Sequence, residues 1–239
     1  MMLWMLAVLI GYFVKGVAGF GNTLVVNSVM TFSMSNAALT PVELMLCVPT
    51  NMTLAIANRR GIRWRLALPP LAMVLAGDVL GVYMLANVQV DALKMVFGAV
   101  LILLGIEALW REHRGVSGDQ VNPMLLTVLG VTAGVLCGLF GVGALLAAYF
   151  ARVTKDDASF KGSMCMIFAV ENLFRVAAYG VSGLLSLTTL TNAAMLAPFM
   201  AVGLFLGMRL SGRLNAKLVR LVVNILLMFS GVALLATNL

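Results

Sequence analysis

Four ionisable residues sit inside apolar runs of this chain, and each is a candidate for chemistry. Glu171 and Arg175 lie one helical turn apart within the run Ala158–Gly180. Two readings of that spacing stand side by side. An i,i+4 pair neutralises itself on one helix face. Alternatively, the guanidinium clamps an oxyanion and the glutamate is its counter-ion. Asp78 lies in mid-run within Leu66–Ala86, where it either pairs with Lys15 or carries a proton. Lys15 closes the first apolar half-helix, where a cation offsets the helix dipole and adds positive charge. Glu43 and Glu107 fall near run ends and read as interfacial. Asn51 and Asn172 occupy matching mid-run positions. A buried amide needs a partner, so each faces either substrate oxygens or a neighbouring backbone turn.

Two glycine clusters join this set: Gly16-Val-Ala-Gly19-Phe-Gly21, followed by Asn22, and Gly138-Leu-Phe-Gly141-Val-Gly143. Backbone N–H groups at such a turn approach a ligand closely, and a helix that starts there presents its positive end. Two such helix starts converging would suit an anion. The helix entering each turn brings its negative end to the same place. The alternative role of these glycines is close helix packing.

The elements that must position these residues follow from composition. Of 239 residues, 62% are hydrophobic and 10% charged, with a mean hydropathy of +1.05. A water-soluble domain of this length lacks the core volume for that much apolar surface. A soluble enzyme, a disordered chain and a disulfide scaffold are excluded. The apolar runs are unbroken, unlike the alternating ten-residue segments of a β-barrel. The class is therefore an all-α polytopic membrane protein. Cys47, Cys137 and Cys165 lie in apolar runs at no metal spacing and read as packing residues. No cofactor or metal is expected. Met1–Val14 has no basic flank and continues into further membrane sequence, so no cleaved leader is expected.

Eight apolar blocks can be read: 2–33, 41–58, 66–86, 92–110, 124–152, 158–180, 189–210 and 218–235. The first and fifth are long and interrupted, at Lys15–Gly21 and Gly138–Gly143. The order repeats. The glycine clusters match at an offset of 122 and Asn51 matches Asn172 at 121. Gly81, Lys94 and Gly105 match Gly207, Arg220 and Gly231 at 126. The chain thus divides into a first membrane repeat, 1–112, a polar linker, 113–122, and a second membrane repeat, 123–239.

Charge chooses the topology. If every block crosses once, the basic residues split almost evenly between the two faces, against the positive-inside bias. If the first block of each half is a re-entrant hairpin, thirteen of the sixteen cations fall on one face. Only Lys94 falls opposite, with Lys15 and Arg175 inside the membrane. Each half then crosses three times and the halves are inverted. The hairpin arms Met2–Val14 and Asn22–Met34 are about 20 Å each, past the midplane but short of spanning. Their tips are expected to meet near the centre. The linker, 111–123, is expected in the cytoplasm and both termini outside the inner membrane. Inverted repeats with broken helices at mid-depth are common in secondary transporters. The +7 net charge reads as this loop bias, with no nucleic-acid partner.

At its glycine clusters the chain resembles the TauE/SafE family of sulfite-exporter-like permeases, whose pattern places Gly-x-x-Gly-[Phe/Ile]-Gly near the start of each half. The resemblance extends over the length, the two halves and the polar middle. It implies a transporter of small sulfur-containing anions such as sulfite or organosulfonates, moving by alternating access around a midplane site. On that reading Gly16, Gly19, Gly21, Asn22, Asn51, Gly138, Gly141, Gly143, Asn172 and Arg175 contact substrate. Lys15, Asp78 and Glu171 are then charge or coupling partners, with a proton or cation as the coupling ion. A passive anion channel is the alternative. An enzyme is not expected. Gly180-Val-Ser182-Gly183 spells an intramembrane serine motif, but the one histidine, His113, is in the linker, and no His-Glu-x-x-His occurs. No nucleotide-binding loop is present either.

Overall fold

The computed structural model describes residues 2–30, 36–87, 123–154 and 156–211, with single helical positions between 99 and 106 and between 225 and 232. The expected linker 113–122 and most of the blocks 92–110 and 218–235 lie outside the described residues. Every described element is a helix: α1 (Met2–Ala18), α2 (Asn22–Met30), α3 (Asn36–Ala57), a 3-10 turn (Arg59–Gly61), α4 (Trp64–Asn87), α5 (Pro123–Phe140), α6 (Ala144–Val153), α7 (Asp157–Val181) and α8 (Leu187–Ser211). Four stretches are long and apolar enough to cross a bilayer: Ala38–Ala57, Trp64–Asn87, Ala158–Val181 and Leu187–Ser211. The chain is a helical, multi-pass membrane protein.

The two interrupted blocks break within the expected intervals, at the later residues of each glycine cluster. α1 runs through Lys15 and Gly16 to Ala18, and the turn is made by Gly19 (φ 87°) and Gly21 (φ 94°). α5 runs through Gly138 to Phe140, and the turn is made by Gly141 (φ 69°). These φ values are in the left-handed region, where a Cβ is strained. In the second hairpin the first arm, 18 residues, is longer than the second, 10 residues; in the first hairpin α1 has 17 residues and α2 is described as far as Met30. The first arm is about 25 Å long, longer than the 20 Å expected.

The chain forms two compact units: 1–35 with 89–116 and 194–239, and 36–88 with 117–193. Neither unit follows a sequence half, because each combines segments from both repeats.

In the second unit α4 and α5 form a glycine zipper. Gly77 lies against the backbone of Val131 and Val135, and Gly81 against Val135 and Gly138. Contacts advance together along both helices, so the pair is parallel. A Cβ at Gly138 would lie 2.9 Å from Asp78 O, from Gly81 Cα and from Val82 N. At that separation any side chain forces the backbones apart. In the first unit α1 and α8 repeat the arrangement. Gly203 lies against Leu9 and Phe13, and Gly207 against Phe13 and Gly16. A Cβ at Gly16 would lie 2.6 Å from Leu204 O and 2.8 Å from Met208 N. Shifting the α5 partners by 122 and the α4 partners by 126 converts one set of contacts into the other.

The second unit also fixes where its loops lie. Gly61 packs on the Ala158 carbonyl, the Arg63 N–H donates to Ser163 Oγ at 3.0 Å, and Arg63 Nε donates to Ser159 Oγ at 3.2 Å. Arg63 also stands 3.7 Å from Asp156, which caps α7 by accepting from the Ser159 N–H at 2.8 Å. The loop 59–65 and the start of α7 therefore share one end of the unit. α5 starts at that end because it is parallel to α4, and α6 returns to it at Val153. The α5–α6 pair thus enters and leaves at the same end.

Candidate functional site

The site in the second unit is built on one face of α7. Glu171, Arg175 and Tyr179 recur every four residues, so their side chains stack along one stripe. Arg175 Nη1 donates to Glu171 Oε1 at 3.1 Å and Nη2 donates to Tyr179 Oη at 2.8 Å. Tyr179 Oη in turn donates to the Gly138 carbonyl at 2.6 Å. That carbonyl is in the last turn of α5, where helical acceptors run out of intrahelical donors. The chain of bonds joins an ion pair on α7 to the end of the hairpin's first arm. All three side chains are at most 3% exposed.

The other side of the hairpin turn is held by Phe168, whose ring occupies the space a Cβ at Gly143 would need. α7 thus touches the turn at both ends, through Phe168 at Gly143 and Tyr179 at Gly138. Asn172 and Arg175 lie between those two contacts. Within the turn, the Gly141 N–H donates to Cys137 O at 2.8 Å and Cys137 Sγ to Val142 O at 3.6 Å. Thr40 Oγ1 reaches Leu139 O at 3.5 Å. The carbonyls of residues 137–139 are therefore occupied. The opposite polarity is open: α6 starts at Gly143 with no side-chain cap, which leaves first-turn N–H groups for an outside acceptor.

Several polar atoms here are buried with no hydrogen-bond partner among the described residues. They are Arg175 Nε, Asn172 Nδ2, Asn51 Oδ1 and both oxygens of Asp78. Asn51 and Asn172 are each 3% exposed and lie on α3 and α7, which pack along each other. Beside Asn51, Pro49 removes one helical N–H. The hydroxyls of Thr50 and Thr53 bond back to Leu46 O, Cys47 O and Pro49 O at 2.8–3.1 Å. Asp78, fully buried on α4, has Glu171 and Arg175 as its charged neighbours. Unpaired buried polar atoms are costly in a bilayer interior, so sites that keep them mark pathways or ligands.

The first unit holds Lys15, Gly16, Gly19, Gly21 and Asn22. Lys15 is 2% exposed, with its ammonium 5.5 Å from the Tyr12 ring centre. Asn22 Nδ2 donates to Thr23 Oγ1 at 3.3 Å at the start of α2. The Gly19 N–H donates to Lys15 O at 2.7 Å. Gly16, like Gly138, is inside a helix and packed backbone to backbone. Of the residues expected to be interfacial, Glu43 lies in the second turn of α3, near the start of that span, and is buried within the protein at 3% exposure. Glu107 lies outside the described residues.

Sequence reasoning did not single out Tyr179, Phe168 or Cys137. Tyr179 had a signal, one turn beyond Arg175 on the same face. Phe168 contacts a turn 25 residues away and Cys137 bonds within it, and an apolar run conceals both.

The sequence family described as Sulfite exporter TauE/SafE matches residues 3–234. A curated relative, the "Probable sulfite/organosulfonate exporter TauE" of Cupriavidus necator, is 27% identical over 211 residues, covering 83% of this chain and 79% of its own length. No solved structure matches.

Proposed function

The chain belongs to the TauE/SafE sulfite exporter family, a family of membrane transporters, and on that premise we propose that it is a secondary transporter of a small sulfur-containing oxyanion such as sulfite or an organosulfonate. One observation carries the reading to residues. Arg175 is a buried guanidinium with two donors used internally and Nε left over, on the helix whose Phe168 packs on the uncapped start of α6 at Gly143. A fixed cation and free N–H groups in a water-poor setting suit a sulfonate or sulfite oxygen.

In this proposal Arg175 and Asn172 contact the anion together with the turn Gly138, Gly141 and Gly143, and Asn51 supplies a further polar contact. Gly16, Gly19, Gly21 and Asn22 form the matching turn of the first hairpin. Asp78 and Glu171 set the charge of this site, and Lys15 that of the first hairpin's turn. The repeats are inverted, and transport proceeds by alternating access around the mid-depth site. The equivalent glycine contacts of α4–α5 and α1–α8 support the repeat, and the shared end of the basic loops supports a re-entrant hairpin. The orientation in the inner membrane follows from charge: linker 111–123 in the cytoplasm, termini outside.

The test is flux in proteoliposomes with sulfite, sulfoacetate and taurine, with and without a pH gradient. Saturable uptake of at least one, abolished by Arg175→Ala beyond its effect on protein yield, is expected. Loss of yield and flux in equal measure would reduce Arg175 to a structural role. Ohmic conductance without saturation would replace the carrier with a channel.

A further inference from the structure

Two carboxylates and one guanidinium share the buried group on α4 and α7, and their charges do not balance. Asp78 and Glu171 contribute two negative charges and Arg175 one positive. Tyr179 on α7 and Cys137 on α5, with Cys47 of α3 beyond it, are the other titratable groups facing them, a phenol and two thiols that add no positive charge. The group is sealed: Asp78, Glu171, Arg175 and Tyr179 are 0, 1, 3 and 0% exposed.

Glu171 has Arg175 as its partner at 3.1 Å. Asp78 has no donor on either oxygen, although the Glu171 carboxyl is within hydrogen-bonding reach. As ionised groups both are acceptors only, so that contact becomes a hydrogen bond only when one of them carries a proton. An unbalanced negative charge at such depth is costly, and one shared proton removes both the charge and the missing donor.

We propose that Asp78 and Glu171 form a proton-binding pair that couples anion movement to a proton. One proton joins the pair when it takes up solvent H⁺ and leaves when it releases it, with no other bond made or broken. The repeat makes the device one-sided. Shifting by 126 places Leu204 opposite Asp78, and shifting by 121 places Thr50 and Leu54 opposite Glu171 and Arg175. The repeat counterparts therefore carry no such pair. An anion on Arg175 adds negative charge next to the pair and so favours its proton. By linkage, the proton favours the anion equally. The two therefore travel together, in the same direction. The coupling rests on the transport reading; the proton pair does not.

Two measurements separate those parts. Infrared spectroscopy of the purified full chain in lipid nanodiscs at pH 7 reads the protonated-carboxyl C=O stretch. The wild type shows this band. Asp78→Asn and Glu171→Gln each lose it, because one carboxylate balances Arg175 with no proton. No band in the wild type, or a band that survives both substitutions, overturns the pair whatever the protein transports. Proteoliposomes loaded with a pH dye and given methanesulfonate, whose charge does not change with pH, read the coupling. Protons enter with the anion, and Asp78→Asn lowers the ratio of pH-driven uptake to counterflow by about 5- to 150-fold. Anion flux with no proton movement, or with the ratio unchanged in both variants, overturns the coupling.

Discussion

Tyr179 Oη is bonded to Gly138 O at 2.6 Å, and Gly138 packs backbone to backbone against Asp78, Gly81 and Val82 of α4. One phenol therefore touches the point where three helices meet, and it does so while accepting from Arg175 at 2.8 Å. The end of the hairpin arm and the charged group are mechanically one object.

Tyr179→Phe removes that link and leaves the aromatic packing in place. The Gly138 carbonyl and Arg175 Nη2 both lose a partner in a dry setting. Thermal unfolding in detergent should show a loss of about 1–2 kcal/mol. Anion flux should fall while the protein remains folded. An unchanged midpoint and flux would show that the bond positions nothing.

Gly81→Ala and Gly207→Ala should destabilise by similar amounts, about 1–3 kcal/mol each. Both put a methyl into the same backbone contact, with Gly138 in one unit and Gly16 in the other. Gly180→Ala is the control, since a Cβ there meets nothing within 4 Å. Thermal melts of the three variants check this. Equal melts for Gly180→Ala and Gly81→Ala would remove the zipper as the reason for these glycines.

The basic loops should face one side of the membrane. Arg60→Cys and Arg209→Cys should resist an impermeant maleimide added outside cells, and Ser182→Cys should react. The native Cys47, Cys137 and Cys165 are buried and contribute no signal. Reaction at Arg60→Cys together with protection at Ser182→Cys would reverse the orientation.

Asp156 gives a pH dependence outside the membrane. The Ser159 N–H and hydroxyl, and then Arg63, hold its carboxyl below the usual carboxylate range. A lowered value stabilises the fold above the ordinary pKa of about 3.9 and loses that contribution as pH falls through the folded value. The difference in melting temperature between wild type and Asp156→Ala should be largest at neutral pH and shrink in acid. A difference that grows in acid would contradict the capping role.

The helical membrane class, the two broken blocks and the ion pair of Glu171 and Arg175 were all legible, because hydropathy, glycine spacing and i,i+4 periodicity are local signals. The role of Gly16 and Gly138 was not. A glycine that turns the chain and one that lets another helix approach read alike until the partner helix is known. Those partners, Gly207 and Gly81, are far away in the chain. Asp78 was noticed, but its place beside Glu171 depends on the packing of two helices 93 positions apart at those residues. Glu43 stands near a run's end and is still covered by protein: position along a run says little about what packs on a side chain.

The glycine contacts also determine what would happen to a divided chain. α5 belongs to the second half and rests on α4 of the first, while α1 of the first rests on α8 of the second. Each half lends its hairpin arm and borrows the other's. A break within 113–122 would leave two fragments, each with a bare glycine groove and an arm with nothing to fit it. Made separately, their glycine faces have no native partner to close on. Made together, each supplies what the other lacks, as two swapped partners do.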